Sequence, residues 1–313
     1  MTGSGPSQIQ TSDQTKLTRG LKSRHIELIA IGGAIGVGLF LGSAKAIQNG
    51  GPGLILGYAF GGLVIFFIMR ALGELLLYRP VAGSFVMYAD EFVGPFAGFA
   101  TGWSYWFTWV VTGMAELTAI GVYVGYWLPG AADIVNFVVI TAAMSSCNSG
   151  LYSTGRMLHA LSEIGQAPSA LGAINRRRLP AAAITVSAGL MLVGVLLNFL
   201  VPDQVFIWVT SVALIGTLWT WGIIMLAHRG YKKAVHEGRA HGVSFRMPGA
   251  PLANWLVVGF LIVVAALLSV EPGTRVALYV APIWFGLLGV AYVRMKSRPR
   301  QNMGFAAGQS PLP

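Results

Sequence analysis

Long, continuously apolar stretches alternate with short polar segments along this chain. A helix needs about 20 mostly apolar residues to cross a bilayer, and eight stretches meet or approach that length. They cover residues 26–47, 54–77, 96–128, 134–161, 179–201, 205–227, 252–270 and 276–293. The stretch at 96–128 is too long for one upright span, so we expect it to tilt or to begin along the interface. Apolar residues are consecutive rather than alternating, which excludes a membrane β-barrel. The pattern predicts an all-α polytopic membrane protein with eight transmembrane helices.

Composition and charge placement agree with this prediction. The 313 residues are 55% hydrophobic and only 10% charged, whereas soluble domains carry about 25% charged residues. If the N-terminus is inside, Lys45 and Arg275 are the only basic residues on outer loops. Cytoplasmic loops collect Lys and Arg, so we expect both termini in the cytoplasm. The net charge of +10 is then a topology signal, and we expect no nucleic-acid partner.

The two ends of the chain are polar. Residues 1–24 are rich in Gly, Ser, Gln and Thr, which predicts a disordered cytoplasmic tail, and residues 297–313 form a second cytoplasmic tail. We see no removable signal peptide before the first apolar stretch. Cys147 is the only cysteine, so no disulfide forms within the chain.

The first apolar stretch contains four closely spaced glycines, Gly32, Gly33, Gly36 and Gly38. Glycine frees the backbone to leave helical geometry, and broken helices at membrane depth occur where the backbone lines a cavity or ligand site. N–H groups freed there can bind a carboxylate. Close helix packing through small residues explains the same pattern, and Gly32 and Gly36 have the GxxxG spacing. Both interpretations remain open from this stretch alone.

Glu74 and Glu116 are acidic residues within the second and third predicted helices. Arg70 and Glu74 are four residues apart near one end of the second helix, so we expect a structural ion pair. Glu116 lies well inside the third apolar stretch, beyond Trp103, Trp106 and Trp109. A carboxylate at membrane depth is costly and indicates a functional site. A role in binding a proton or a substrate ammonium competes with a structural hydrogen bond to a neighbouring helix.

The fourth predicted helix has an unusually polar middle. Its polar side chains are Thr141, Ser145, Ser146, Asn148, Ser149, Ser153 and Thr154. Hydroxyls often bond only to carbonyls of their own helix. The number of polar groups together with Asn148 favours a wet or substrate-facing surface.

Several kinds of chemistry find no support. The sequence has no phosphate-binding loop, dinucleotide fingerprint or nucleophile elbow. His228, His236 and His241 lack a metal-ligand pattern with supporting carboxylates. We therefore expect no metal, no cofactor and no enzymatic activity.

Four segments together resemble a known family. They are LTRGLKSRHIELIAIGGAIGVGLFLGS, RALGELLL, GWSYWFTWVVTGMAELTA and DIVNFVVITAAMSSCNSGLYSTGRML. Over residues 17–296 the chain is similar to amino acid permeases of the amino acid–polyamine–cation superfamily. The segments WVVTGMAE and EPGTRVALYVAPIWF are most similar to bacterial proton symporters for D-serine, D-alanine and glycine.

The resemblance implies a shortened form of the family fold. The family has twelve helices, and its first ten form two inverted repeats of five. Residues 25–128 match family helices one to three, and residues 131–296 match helices eight to twelve. Family helices four to seven have no counterpart, and the join lies near residues 128–131. The fold expected is the remnant of a LeuT-like inverted-repeat transporter.

The resemblance also implies a substrate site. Backbone amides of Ile35, Gly36, Val37 and Gly38 would hold the substrate carboxylate, and carbonyls near Ala34 would hold its ammonium. Many relatives have Thr or Ser at the position of Val37. Two further family elements, broken helix six and a helix-five lysine associated with proton coupling, are missing. We include Glu116, Ser145, Ser146 and Asn148 among the candidate substrate-binding residues.

The resemblance implies proton-coupled uptake of small neutral amino acids across a bacterial inner membrane. The expected partners are an amino acid, protons and the lipid bilayer. A homo-oligomer is one way to complete the shortened cavity. The alternative is a non-transporting membrane interaction or regulatory subunit, and an intramembrane enzyme ranks last because Glu116 and weak hydroxyls are its only available groups.

Overall fold

The computed structural model describes residues 42–81, 83–125, 133–175 and 179–296. Every regular element in these ranges is helical, which confirms the all-α fold class. The described helices are α1 Ser43–Gly50, α2 Leu54–Tyr78, α3 Phe85–Phe92, α4 Pro95–Gly125, α5 Asp133–Glu163, α6 Ser169–Gly172, α7 Ala181–Met191, α8 Val193–Leu200, α9 Pro202–His236, α10 Leu252–Leu267 and α11 Val276–Lys296. A 3₁₀ turn at Gly51–Gly53 joins α1 to α2.

The helices follow the predicted apolar stretches with three differences. The stretch at 26–47 lies mostly outside the described residues. The stretch at 179–201 is divided into α7 and α8 by a turn at Leu192. The stretch at 205–227 belongs to a longer helix, because α9 continues through a polar segment to His236. Polar residues therefore lengthen this helix beyond its apolar part.

Four segments in the described part are long and apolar enough to cross a membrane. They are Gly51–Tyr78, Ala181–Leu200, Gln204–His236 and Val276–Met295, and Leu252–Leu267 is a shorter apolar helix. Leu56 on α2 is 75% exposed and Phe199 on α8 is 86% exposed. Apolar surfaces of this kind are typical of contact with lipid. The chain is a multi-pass membrane protein.

The helix α9 lies at the centre of the described fold. Along its length it packs against α2, α3, α4, α8, α10 and α11. One core cluster joins Ile68 of α2, Met225 of α9 and Val257 of α10, and all three side chains are buried. Because α9 contacts so many neighbours, it fixes their relative positions.

Glycines allow α4 to approach its neighbours closely. A Cβ added to Gly113 would lie 2.5 Å from the sulfur of Met191 on α7. A Cβ on Gly194 of α8 would lie 2.6 Å from the Cβ of Met114. Small residues at such contacts are typical of helix packing in membranes.

The short helix α3 is an element that the apolar pattern did not predict. It is separated from α4 by Gly94, whose φ of 142° is a conformation that side chains disfavour. The hydroxyl of Tyr88 on α3 donates to the carbonyl of Arg79 at 2.6 Å. Burial raises the pKa of Tyr88 to about 12, so the hydroxyl retains its proton at neutral pH. This bond anchors α3 to the end of α2.

Candidate functional site

The glycine-rich part of the implied substrate site cannot be placed. Ala34, Ile35, Gly36, Val37 and Gly38 all lie outside the described residues. The candidates that the structure places are Glu116 on α4 and Ser145, Ser146 and Asn148 on α5.

Glu116 is buried at the interface between α4 and α5. Its side chain is 4% exposed. The two helices are antiparallel, since Ala119 clusters with Ala143 and a Cβ on Gly150 would contact the ring of Trp109. The Sγ atom of Cys147 also lies 4.0 Å from the carbonyl oxygen of Gly113.

This register sets Glu116 level with Ser145 and Ser146 of α5. Ser146 is buried and Ser145 is half-buried. Glu116 also interacts electrostatically with the Cys147 thiol. A buried carboxylate therefore lies level with two small polar side chains of the neighbouring helix.

The polar middle of α5 does not form one continuous surface. Asn148 is exposed, whereas Ser146 and Ser149 are buried. The Ser149 hydroxyl donates to the Ser145 carbonyl at 3.0 Å, and that of Thr154 donates to the Leu151 carbonyl at 3.0 Å. Such bonds satisfy a hydroxyl within its own helix. Ser149 and Thr154 therefore have partners within α5, and the predicted substrate-facing surface does not include all seven polar side chains.

The tryptophans of α4 are tied to neighbouring segments. The Trp103 indole N–H donates to the Gln166 carbonyl at 3.0 Å, and the Trp106 indole N–H donates to the Ser187 hydroxyl at 2.9 Å. On another side of α4, the Trp284 indole N–H donates to the Ser104 hydroxyl at 3.0 Å. Beside this bond is a cavity of about 10 Å³, which has room for a single water molecule.

A second buried carboxylate, Glu74, lies near the C-terminal end of α2. Glu74 is 1% exposed and accepts three hydrogen bonds. Its donors are His228 Nε2 at 2.9 Å, Lys232 Nζ at 3.0 Å and the backbone N–H of Met247 at 2.7 Å. We call Glu74, His228, Lys232 and Asn254 the Glu74 cluster. It joins α2, α9, α10 and the segment between α9 and α10.

The expected pair between Arg70 and Glu74 is wrong. Arg70 instead donates to the carbonyl of Arg246, and its guanidinium carbon lies 3.5 Å from the ring centroid of Phe245. Spacing of four residues permits a pair within a helix, but α9 presents His228 and Lys232 directly to Glu74. Tertiary contacts therefore replace the local one.

The hydrogen bonds assign the tautomer of His228. The Asn254 amide nitrogen donates to the Met225 carbonyl at 3.0 Å and lies 3.1 Å from His228 Nδ1. Since an amide N–H donates, Nδ1 is the acceptor, and the ring proton is on Nε2 facing Glu74. Sequence reasoning missed His228 as the partner of Glu74 and Asn254 as the partner of His228. Their polar character within apolar segments was the available signal.

Within the described ranges, no group of three His, Cys, Asp or Glu residues is placed to hold a metal ion.

The chain is similar in sequence to known amino acid transporters. The family model described as amino acid permease matches residues 25–130 and 128–303. The chain is 34% identical to the uncharacterised amino acid permease YtnA of Bacillus subtilis strain 168, with 88% of this chain and 95% of that protein covered. It is 29% identical to the aromatic amino acid transport protein AroP of Escherichia coli strain K12, with 89% and 95% covered. It is also 29% identical to the probable threonine/serine transporter YbxG of Bacillus subtilis strain 168, with 88% and 95% covered. No solved structure matches the chain.

Proposed function

The chain belongs to the amino acid permease family, and on that premise we propose that it carries out proton-coupled uptake of small neutral amino acids. Glycine, D-alanine and D-serine are the first substrates to test. Among the relatives, AroP is named for aromatic amino acids and YbxG for threonine and serine. Phenylalanine and L-threonine therefore belong in the same assay.

The burial of Glu116 carries the proposal of proton coupling. Its side chain is 4% exposed where α4 packs against α5, and a carboxylate buried at membrane depth is a candidate for binding a proton or a cation. Ser145 and Ser146 lie level with it on α5, and their hydroxyls are suited to a small polar substrate. The substrate carboxylate would bind at the backbone of residues 34–38 in the first predicted helix.

We further propose that family helices four to seven are missing, and that residues 25–128 and 131–296 are the two retained parts. Two observations support this. The family model matches in two ranges that meet at residues 128–130. The alignment with YtnA runs over 438 positions, more than the 313 residues of the chain. An even number of missing helices preserves the topology, with both termini in the cytoplasm.

Uptake by cells that lack their own permeases tests the transport proposal. We expect labelled glycine and D-alanine to accumulate above an empty-vector control, and a protonophore to abolish the accumulation. Glu116→Gln should reduce uptake at least tenfold, because the amide cannot bind and release a proton. The control Glu91→Gln removes an exposed carboxylate paired with Arg79, and it should keep wild-type uptake. Equal uptake by both variants would refute the role of Glu116.

A second candidate function is a non-transporting membrane subunit. The shortened family fold and the exposed amide of Asn148 favour it, because a polar group at membrane depth needs a covering partner. Absence of uptake by membrane-inserted wild-type chain would exclude independent transport. A change in the uptake rate of a co-expressed full-length relative would then support the subunit function.

A further inference from the structure

A basic groove opens where α9 leaves its apolar part. Its volume is about 790 Å³. One wall is formed by successive turns of α9 that carry Arg229, Lys232, Lys233 and His236, and the facing wall is formed by the ends of α3 and α10. We call this space the α9 groove.

The four basic residues of the α9 groove differ in how far they are neutralised. Lys232 reaches Glu74 at 3.0 Å, so its charge is compensated. Lys233 is 74% exposed and lies 3.8 Å from Glu237, which also binds Arg239. Arg229 forms no ion pair within the described ranges. The groove therefore presents Arg229 and Lys233 as cations available to an anion.

The contact between Arg229 and Trp255 connects the groove to an apolar surface. The Arg229 guanidinium carbon lies 4.5 Å from the Trp255 ring centroid, and this packing holds the guanidinium near the groove. Trp255 is half exposed, and its neighbours Leu252 and Leu256 on α10 are 66% and 65% exposed. Tryptophan is enriched at the membrane–water interface. Cations, an interfacial indole and a lipid-facing apolar strip are thus contiguous.

We propose that the α9 groove binds an acidic phospholipid from the surrounding bilayer. The phosphate lies between Arg229 and Lys233, and the first acyl carbons lie along Leu252 and Leu256 of α10. Positive charge on cytoplasmic segments alone explains the number of basic residues. The positive-inside rule does not explain why these basic residues line a cavity that continues into exposed apolar side chains. Basic pockets beside membrane helices are known to bind acidic lipid head groups. A zwitterionic lipid lacks the net charge that this groove complements.

Binding of phosphatidylglycerol to the full chain, delipidated in detergent, tests the proposal. The readout is the number of lipids bound in native mass spectrometry and the shift in melting temperature. Phosphatidylcholine with the same acyl chains should bind at least tenfold more weakly. Soluble glycerophosphoglycerol should not reproduce the stabilisation, because it lacks acyl chains. Equal binding of both lipids, or equal stabilisation by the soluble head group, would overturn the lipid assignment.

Variants locate the bound lipid. Arg229→Gln combined with Lys233→Gln should weaken phosphatidylglycerol binding about tenfold or more, because two cations are lost. Arg156→Gln is the matched control. Like Arg229, Arg156 is exposed and lies near an aromatic ring, 5.4 Å from the ring centroid of Tyr152. It is on α5, away from the α9 groove. This variant should leave binding unchanged. Arg229→Lys keeps the charge and should retain most of the binding. If the double variant does not fold, Lys233→Gln alone replaces it, because this side chain is 74% exposed, and it should still weaken phosphatidylglycerol binding. Wild-type affinity in a folded double variant, or loss of affinity in Arg156→Gln alone, would overturn the proposal.

Discussion

At the scale of single residues, the two buried carboxylates have different surroundings. Glu74 accepts three hydrogen bonds from an imidazole, an ammonium group and a backbone amide. Glu116 lies between two apolar helices beside small polar side chains. The three donors fix the position of the Glu74 carboxylate between α2, α9 and the segment before α10, whereas the role proposed for Glu116 is in binding a proton or a cation. The exposed fractions of the two side chains, 1% and 4%, do not distinguish these surroundings.

The Glu74 cluster should be a major source of stability. Glu74→Gln replaces a buried carboxylate by an amide that serves its cationic donors poorly, and loss of a buried pair costs about 3–5 kcal/mol. We expect a marked fall in the melting temperature of the purified chain in detergent, measured by scanning fluorimetry. Glu91→Gln removes the exposed ion pair with Arg79 and keeps an oxygen that can accept from the Tyr78 hydroxyl, so it should cost less than about 1 kcal/mol. Equal shifts for both variants would contradict a structural role for Glu74.

The sequence indicated the burial of Glu116 but not the partners of Glu74. The position of Glu116 inside an apolar stretch indicated a carboxylate at membrane depth, and Glu116 is buried. The sequence could not identify His228 as the partner of Glu74, because the two are separated by 154 residues. A spacing of four residues suggested Arg70 as the partner of Glu74, but the Arg70 guanidinium packs on the ring of Phe245. Local spacing predicts partners within one helix but not between helices.

At the scale of elements, the lengths of the continuous apolar stretches predicted most of the helices. Contacts at glycines explain how closely some of these helices pack. The predicted stretches at 54–77 and 134–161 match α2 and α5 closely. The continuation of α9 to His236 was not predicted, because polar residues beyond Ala227 end the apolar pattern without ending the helix. The short helix α3 was also missed, since eight residues are too few for a clear apolar period.

The crossing of α9 and α3 depends on Gly230. A Cβ at this position would lie 2.5 Å from the carbonyl oxygen of Phe92 and 2.8 Å from its Cβ. Gly230→Ala should therefore destabilise the chain by about 1–3 kcal/mol, as overpacking does elsewhere. Gly222→Ala on the same helix is the control, because its Cβ would meet only Leu261 at 4.0 Å. Melting temperatures of the two variants in detergent provide the comparison, and an unchanged value for Gly230→Ala would contradict the close crossing.

At the scale of the whole molecule, the distribution of basic residues predicts the membrane orientation. The polar segment after α9 contains Arg239 and Arg246, whereas Arg275 is the one Lys or Arg in the turn between α10 and α11. The positive-inside rule predicts that the first segment is cytoplasmic and the second is outside. The exposed apolar faces of α2, α8 and α10 indicate a lipid-facing perimeter but not its direction.

Cysteine labelling tests this orientation in intact cells. Cys147→Ser removes the native thiol, and Glu271→Cys or Glu237→Cys then introduces one thiol on each side. We expect a membrane-impermeant maleimide to label Glu271→Cys directly, and to label Glu237→Cys only after the cells are permeabilised. Both positions are in exposed segments, so differences in burial do not explain the contrast. The reverse pattern would place the termini outside.

The length of α9 has a mechanical consequence. Its 35 residues span about 52 Å, well beyond the roughly 30 Å hydrocarbon layer. The helix therefore acts as a rigid lever, with one arm among the membrane helices and the other in water. The Glu74 cluster grips it near the boundary between the two arms and serves as a fulcrum. Because the cluster contacts α9 at His228 and Lys232, close to its end at His236, the outer arm is the shorter one. A displacement of the far end of the membrane arm would therefore move His236 and the attached polar segment through a smaller arc.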